Sequence, residues 1–324
     1  MRPSAAYAPN PPTSDAEFAL DVRHGLAATP KQLPPRWLYD AIGSSLFETI
    51  CLLPWYKITR AETALLDRLA PEIALRLPVV REVVELGPGS GDKLARLLSP
   101  FTRRSTPVAA HLIDVSSEAL AAATTRLSAL PNLAVRPSLG TFHEGLAALP
   151  TRNGGRLIAL LGSNIGNFEA EAADDLMREI AHALAPGDAC LLGADLVKPE
   201  AELVDAYDDP LGVTAAFNLN LLARINRELG ARFDLRAFRH EARWNAEASR
   251  VEMHLVSRSQ QRVAFPDAGF EVRFAAGESI WTESSHKYTA DAVDALGRRA
   301  GLATAARWVD EDARFALTLF TKSD

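Results

Sequence analysis

The spacing of apolar residues divides the chain into three stretches. In the first, apolar positions recur every three or four residues, the spacing of a helix with one buried face. AEFALDVRHGLAA (16–28) predicts one helix, LPPRWLYDAIGSSLFETICLL (33–53) a second after its proline stop, and Glu62–Leu77 a third. From Arg81 the period alternates. REVVEL, PVAAHLIDV, NLAVRPS, RLIALLGS and DACLLGADLV read as strands. DKLARLLSPF, SSEALAAATTRLSAL and EAEAADDLMREIAHALA read as helices between them, the second capped by serine and the last stopped by Pro186-Gly187. Strand–helix units of this length build a parallel, doubly wound sheet, whose ligands gather at the carboxyl ends of its strands. After Lys198 the alternation stops. LLARINRELGARFDL and ADAVDALGRRAG are helical, RVEMHLVSRSQQRVAF and FEVRFAAGESI alternate as antiparallel strands do, and RFALTLF is a last strand. The expected fold is α/β and Rossmann-like, with a second α+β lobe and a cleft between the lobes.

Composition narrows the partners. The 324 residues are 48% hydrophobic and 23% charged, with a formal net charge of -6. No lysine- or arginine-rich run is present, which argues against a nucleic-acid partner. No apolar run reaches the roughly 20 residues that span a bilayer, so no membrane partner is expected. The N-terminal MRPSAAYAPNPPTSD lacks the apolar core of a secretory signal and reads as a mobile arm over 1–15. Cys51 and Cys190 are far apart in apolar surroundings, as buried thiols of a reducing cytoplasm would be. No Cys/His spacing matches a zinc site, and no metal is expected. Nothing in the sequence demands an oligomer, so a monomer is expected.

The stretch VVELGPGSGDKLARLL (83–98) carries Gly87, Gly89 and Gly91 between a strand and a helix. One glycine suffices for a tight turn; three bring backbone close to a ligand. A nicotinamide dinucleotide is one candidate, but the third glycine of its fingerprint falls on Asp92, and an aspartate at a helix N-terminus opposes a pyrophosphate. An uncharged nucleoside fits better. S-adenosyl-L-methionine has an adenosine, an amino-acid tail and a sulfonium, and no phosphate. Asp114, at the end of the second strand, stands where an acidic residue would take ribose hydroxyls. LAPGDACLLGADL has the helix, Pro-Gly turn and strand often found before the fifth strand of class I methyltransferases. A methyltransferase is the favoured reading.

Candidates for the acceptor side are more ambiguous. Tyr39, Tyr56, Tyr207 and Tyr288 lie in stretches unusual for plain scaffold, yet each alone could be an amphipathic residue at a core edge. Asn167 in LGSNIGNF follows the fourth strand, as an acceptor-binding group or as the N-cap of the next helix. Glu283 in TESSHK sits beside hydroxyls and Lys287, as a binding carboxylate or in a solvated turn.

Taken together, YDAIGSSLFE, LPWYKITRAE, ELGPGSGDK, LGSNIGNF, GADLVK, AYDDPLGVTAAFNLNLLARINRELGA, ARWN and TESSHKY resemble the histidine Nα-methyltransferases of ergothioneine biosynthesis, from about Pro34 onward. The block Ala206–Ala231 is the most specific. The resemblance implies a Rossmann-like class I methyltransferase fold and Nα-trimethylation of L-histidine to hercynine. It implies S-adenosylmethionine contacts at Gly87, Gly89, Lys93 and Asp114, with Thr141 and Phe142 near the adenine. Tyr56, Gly162, Asn167 and Tyr207 would hold the amino acid, with Tyr39 and Asn167 near the reacting amine. Glu283 and Ser285 would bind the imidazole in a pocket lined by Thr214 and Met253. The cofactor domain would comprise 16–61 and 79–197, and the acceptor domain 62–78 and 198–324. The chain departs from the family at Thr141, where many members carry Asp, and at Lys57 and Ile58, where Tyr and Pro are commoner. Ser284 and His286 also vary. Rival readings are another acceptor (tryptophan, tyrosine or a modified histidine), a catalytically silent binding protein, and the dinucleotide oxidoreductase.

Overall fold

A computed structural model describes residues 15–151 and 154–322. The arm expected over 1–15 lies outside the described residues, apart from the first helical residue. In chain order, α1 (Asp15–Ala27), β1 (Lys31–Gln32), a 3-10 turn (Pro35–Leu38) and α2 (Ala41–Ile50) lead to α3 (Lys57–Arg76). The alternating stretch follows as β2 (Val80–Leu86), α4 (Asp92–Thr102), β3 (Val108–Asp114), α5 (Ser117–Leu127) and β4 (Leu133–Leu139). It continues as α6 (Phe142–Ala147), β5 (Gly155–Leu160), a 3-10 turn (Asn164–Asn167), α7 (Ala170–Ala183) and β6 (Ala189–Asp195). Then come α8 (Glu200–Tyr207), α9 (Val213–Leu229), β7 (Phe238–Asn245), β8 (Arg250–Ser257), β9 (Gln261–Phe265), β10 (Phe270–Phe274) and β11 (Ser279–His286). The described chain ends with α10 (Ala290–Arg299), β12 (Leu302–Asp310) and β13 (Phe315–Lys322). No described helix is long and apolar enough to cross a membrane.

These elements form two compact units. One contains Ile58–Val197 and the residues from Lys287 onward; the other contains the described residues up to Lys57 and Lys198–His286. The first unit is built on a seven-stranded sheet ordered β12-β13-β6-β5-β2-β3-β4. β2 to β6 are parallel, whereas β13 runs antiparallel to both β6 and β12. Every residue of β5 and β6 is buried, because helices cover both faces of a parallel sheet. The order reverses between β2 and β5, and ligands of such sheets bind at the carboxyl ends flanking that reversal. The glycine loop follows β2 and LGSN follows β5. At the opposite end, the buried Arg156 guanidinium holds Glu82 at 2.9 Å.

The second unit has a four-stranded sheet, β1-β11-β8-β7, and a separate β9–β10 hairpin. Phe18, Val22 and Leu26 form the buried stripe of α1, one turn apart. Asp209 explains the turn DDPLG: its carboxylate accepts the backbone N–H groups of Leu211, Val213 and Thr214 at 2.7–3.2 Å and so starts α9. Asp40 caps α2 through Gly43 N–H at 2.7 Å and also accepts Asn220 at 2.8 Å.

Several sequence expectations change. The strand containing RFALTLF was assigned to the second lobe but completes the first unit's sheet as β13. Its first six residues are all buried, as an inner strand requires. α3 was assigned with the acceptor domain, yet it belongs to the first unit, where its Glu62 bonds the loop after β5. Residues before Lys57 fall in the second unit, where α2 packs on α9. The helix expected at 221–235 begins earlier, at Val213, and 33–53 is broken at Tyr39-Asp40. β7, β12 and α6 had no counterpart in the sequence reading.

Candidate functional site

At the carboxyl edge of the first unit's sheet, all three loop glycines have left-handed backbone: φ is 77° at Gly87, 52° at Gly89 and 76° at Gly91. Two are held by crowding. A Cβ at Gly87 would stand 2.7 Å from Asn164 Nδ2 and 3.4 Å from the Phe142 ring, and one at Gly91 would stand 2.8 Å from Ala123 Cα. A Cβ at Gly89 would meet nothing within 4 Å, and the Gly89 backbone N–H donates to Asp114 at the end of β3. Asp92, which follows Gly91, bonds Arg96 at 3.0 Å and Arg126 at 3.2 Å.

The loop after β5 is tied to α3 and α4 by Glu62, a fully buried carboxylate. It accepts the Gly162 N–H at 2.8 Å and the Lys93 ammonium at 2.8 Å. Gly162 has φ 74°, and a Cβ there would stand 2.8 Å from Lys93 Nζ. Ser163 adopts φ 58° although it is not glycine, and its hydroxyl accepts the Asp195 N–H at 2.9 Å. Strained backbone at a strand end of this kind often marks a functional site. The sequence reading gave Glu62 no role; only its position in LPWYKITRAE could have marked it.

A second carboxylate points to a cation. Glu85, at the end of β2, is buried, and neither carboxylate oxygen has a hydrogen-bond partner among the described residues. Burial pushes its carboxyl up to about 8; Lys93 opposes the shift, and Glu62 and Asp114 add to it. Asp114, at the end of β3, is also raised by burial, against backbone N–H groups of Ser116, Val115 and Gly89. Phe142 is buried, with its ring 6.3 Å from Phe168. Thr141 caps α6: its hydroxyl accepts the Glu144 N–H at 3.1 Å, and Glu144 returns a carboxylate to the Thr141 N–H at 2.9 Å. Its side chain therefore has a local structural partner in Glu144.

The second unit gathers the other set. Tyr39, Phe47, Phe217, Tyr56 and Tyr207 form a run of ring contacts with centroids 5.5–6.3 Å apart. Phe47 and Phe217, which join the three tyrosines, were missed by the sequence reading. Lys57 reaches Glu202 of α8 at 2.9 Å. A β-bulge in β11 re-aims the side chains that follow it. His254 faces Trp281, but Met253 faces Glu283, so Thr282 is the extra residue. The bulge puts Glu283 and Ser285 on the face of Met253 and leaves Trp281 on the other. There Trp281 stacks on His254 and lies under Arg250, whose guanidinium is 4.4 Å from the ring. The Tyr207 hydroxyl donates to Ser285 Oγ at 2.8 Å, and the Tyr39 hydroxyl lies 3.5 Å from Glu283 Oε1. Thr214 is buried on α9, one residue-quartet before Asn218.

The sequence candidates thus separate by unit. Gly87, Gly89, Lys93, Asp114, Thr141, Phe142, Gly162 and Asn167 belong to the first; Tyr39, Tyr56, Tyr207, Thr214, Met253, Glu283 and Ser285 to the second. Asn167 ends the 3-10 turn and does not cap α7, whose N-cap is Glu169. Tyr288 serves the scaffold: its hydroxyl donates to the Ile165 carbonyl at 3.3 Å, and burial raises its pKa. Lys287 is fully buried against Asp195 at 2.9 Å.

Residues 18–322 match the family model described as histidine-specific, SAM-dependent methyltransferase. The chain belongs to this family. It is 43% identical over 305 residues to the histidine N-alpha-methyltransferase of Mycolicibacterium smegmatis, covering 92% of this chain and 93% of that one. It is 28% identical to ergothioneine biosynthesis protein 1 of Neurospora crassa, over 91% of this chain and 33% of that longer one. Among solved structures, an S-adenosylmethionine-dependent methyltransferase from Clostridium acetobutylicum matches at TM-score 0.50 and 13% identity, over 86% of this chain and 99% of that one. The fold is that of the class I methyltransferases, and the family's methyl donor is S-adenosylmethionine. The residues fit such a donor: the buried Glu85 carboxylate, with no hydrogen-bond partner among the described residues, suits a cationic ligand, and the left-handed glycine loop suits close approach to it. Glu62→Gln keeps an acceptor for the Gly162 N–H but removes the charge that holds Lys93. It is expected to weaken S-adenosylhomocysteine binding about tenfold in titration calorimetry, since a charged hydrogen bond is worth roughly 1.5–3 kcal/mol.

Proposed function

We propose that this chain transfers three methyl groups from S-adenosylmethionine to the α-amino nitrogen of L-histidine, forming hercynine, the first step of ergothioneine biosynthesis. The observation that carries the reading is the bulged β11, which sets Glu283 and Ser285 on one face with Tyr207 bonded to Ser285. A carboxylate and a hydroxyl two residues apart suit a neutral imidazole, which has one N–H to give and one lone pair to receive. The 43% identity to a histidine N-alpha-methyltransferase supports the same acceptor. Neither Cys51 nor Cys190 forms a disulfide among the described residues, in keeping with a reducing cytoplasm, where the protein would act as a monomer.

Bound, S-adenosylmethionine supplies a methyl group already activated on a sulfonium. The protein's task is then to position the acceptor and exclude water. Gly87, Gly89, Lys93 and Asp114 would hold the donor, with Thr141 and Phe142 beside its adenine. Glu283 would accept the ring N–H, Ser285 would serve the other nitrogen, and Thr214 and Met253 would line the pocket. Tyr56, Gly162 and Tyr207 would hold the amino-acid backbone. The nucleophile must be a neutral amine, and an α-amino group titrates near pH 8, so no strong base is needed. Asn167 and the Tyr39 hydroxyl can accept amine N–H bonds without adding negative charge. The first two transfers each replace one N–H of the neutral amine and release a proton; the third makes a quaternary ammonium with no lone pair, and the reaction stops.

Mass spectrometry of products from purified protein, S-adenosylmethionine and single amino acids is expected to show histidine gaining three methyl groups. Methylation of another amino acid instead would overturn the acceptor, and donor binding without methylation would mark a silent binding protein. Glu283→Ala should raise the histidine KM about tenfold or more, because an unpaired buried polar group costs roughly 1–3 kcal/mol; an unchanged kcat/KM would sink the ring-reading role. Glu85 yields a pH prediction. Its folded pKa of about 8 lies above the ordinary 4.5, so its contribution to stability is present below 4.5 and lost as pH rises through 8. A cationic ligand beside it favours the ionised form. S-adenosylmethionine binding at pH 7 should therefore release protons, seen as buffer-dependent heats in calorimetry, and Glu85→Gln should abolish that dependence.

A further inference from the structure

His240 is buried on β7 and has no part in the roles assigned above. The register pairs it with Leu255, two residues along β8 from Met253, so it shares the face that carries Glu283. Both of its ring nitrogens are engaged. Nδ1 is 2.9 Å from Asn218 Nδ2, and Nε2 is 2.7 Å from the Tyr207 carbonyl oxygen. The same Asn218 Nδ2 reaches the His254 carbonyl at 3.3 Å. A carbonyl only accepts, so the amide nitrogen is the donor in both bonds and His240 Nδ1 is an acceptor. The ring is therefore neutral, with its proton on Nε2 and donated to Tyr207. Asn218 keeps this orientation although its amide oxygen is buried without a partner among the described residues. Such an oxygen is costly, and the two bonds made by the amide nitrogen offset it. Burial holds the His240 pKa below its ordinary value, against the Tyr207 carbonyl, Asp208, Asp209 and Glu241.

The bond to Tyr207 falls at a sensitive place. Tyr207 is the last residue of α8, where helix carbonyls lack partners within the helix. Its hydroxyl donates to Ser285, and its ring meets Tyr56 at 6.1 Å. We propose that His240 is a positioning residue for acceptor recognition: as the Nε2–H tautomer fixed by Asn218, it anchors the end of α8 and so sets the Tyr207 hydroxyl on Ser285. The proposal rests on the histidine reading of Glu283 and Ser285 and extends it to a residue that touches neither donor nor acceptor.

His240→Leu removes both bonds. His240→Gln can keep both, its amide oxygen facing Asn218 and its amide nitrogen facing the Tyr207 carbonyl. In His240→Leu the KM for L-histidine should rise about tenfold, with kcat within about threefold and S-adenosylhomocysteine affinity unchanged; in His240→Gln the KM should return to within about threefold. An unchanged KM in the leucine variant, or a glutamine variant as impaired as the leucine one, overturns the proposal. If the leucine variant does not fold, nitrogen-15 NMR of the ring in the unmodified protein decides. A proton on Nε2 at neutral pH supports the positioning bond, and a proton on Nδ1 overturns it. Failure of the unmodified protein to methylate histidine would instead overturn the function reading, and the NMR result would still test the His240 bonds.

Discussion

A carboxylate removed from water must be answered by donors, and Glu62 is the place in the first unit where that demand organises its surroundings. One side chain with no exposure holds the backbone after β5 through Gly162 and the ammonium of Lys93 on α4. It therefore joins the loop after β5 to the helix that follows the glycine loop. The demand reaches further into the sheet. A Cβ on Gly193 of β6 would come within 2.1 Å of Glu62 Oε1, so that strand must pass with no side chain at this point. Ser163, held in left-handed backbone and bonded to the Asp195 N–H, completes the lock. The geometry of the loop after β5 is thus set by its own left-handed backbone and by the carboxylate behind it.

The second unit solves a different problem. Beside the run of Phe47, Phe217 and three tyrosines it sets the Tyr207 hydroxyl on Ser285 and the Tyr39 hydroxyl near Glu283. Apolar rings exclude water, and hydrogen bonds inside such a shell gain strength and directionality. One inserted residue, Thr282, decides which face of β11 carries this chemistry. Without the bulge, simple alternation would put Glu283 on the side of Trp281.

How far these features were legible in the sequence depends on the range over which each is determined. The strands β2 to β6, the glycine loop and Asp114 are local patterns and were read within a few residues of their observed bounds. β13 was seen as a strand but joined to the wrong unit, because an apolar run looks the same whichever sheet buries it. α3 was misassigned for a similar reason: its helical period is plain, while its partner is fixed by one buried carboxylate a hundred positions from Gly162. Thr141 looked like a weakened ligand contact, and its capping box was overlooked although Glu144 stands at the right spacing. Tyr288 shared the look of the other three tyrosines and differs only in what its hydroxyl meets. The bulge has no sequence signature of its own, since TESSHK alternates equally well without it. Whole-block resemblance supplied Glu283 and Ser285; the structure supplies the reason they face the side of Met253 and not that of Trp281.

The place of β13 also bears on how the protein is made. This strand lies between β6 and β12, so the first unit's sheet stays open along β6 until residue 322 has been synthesised. During that interval the nascent chain exposes an apolar strand edge, the kind of surface that invites pairing with other chains. β6 and β13 are more than a hundred residues apart, and closing so long a loop makes this a late step in folding. The glycine loop and its neighbours can therefore be complete in sequence well before the sheet that supports them is closed. For this fold the hazardous phase of biosynthesis lasts until β13 is available to pair.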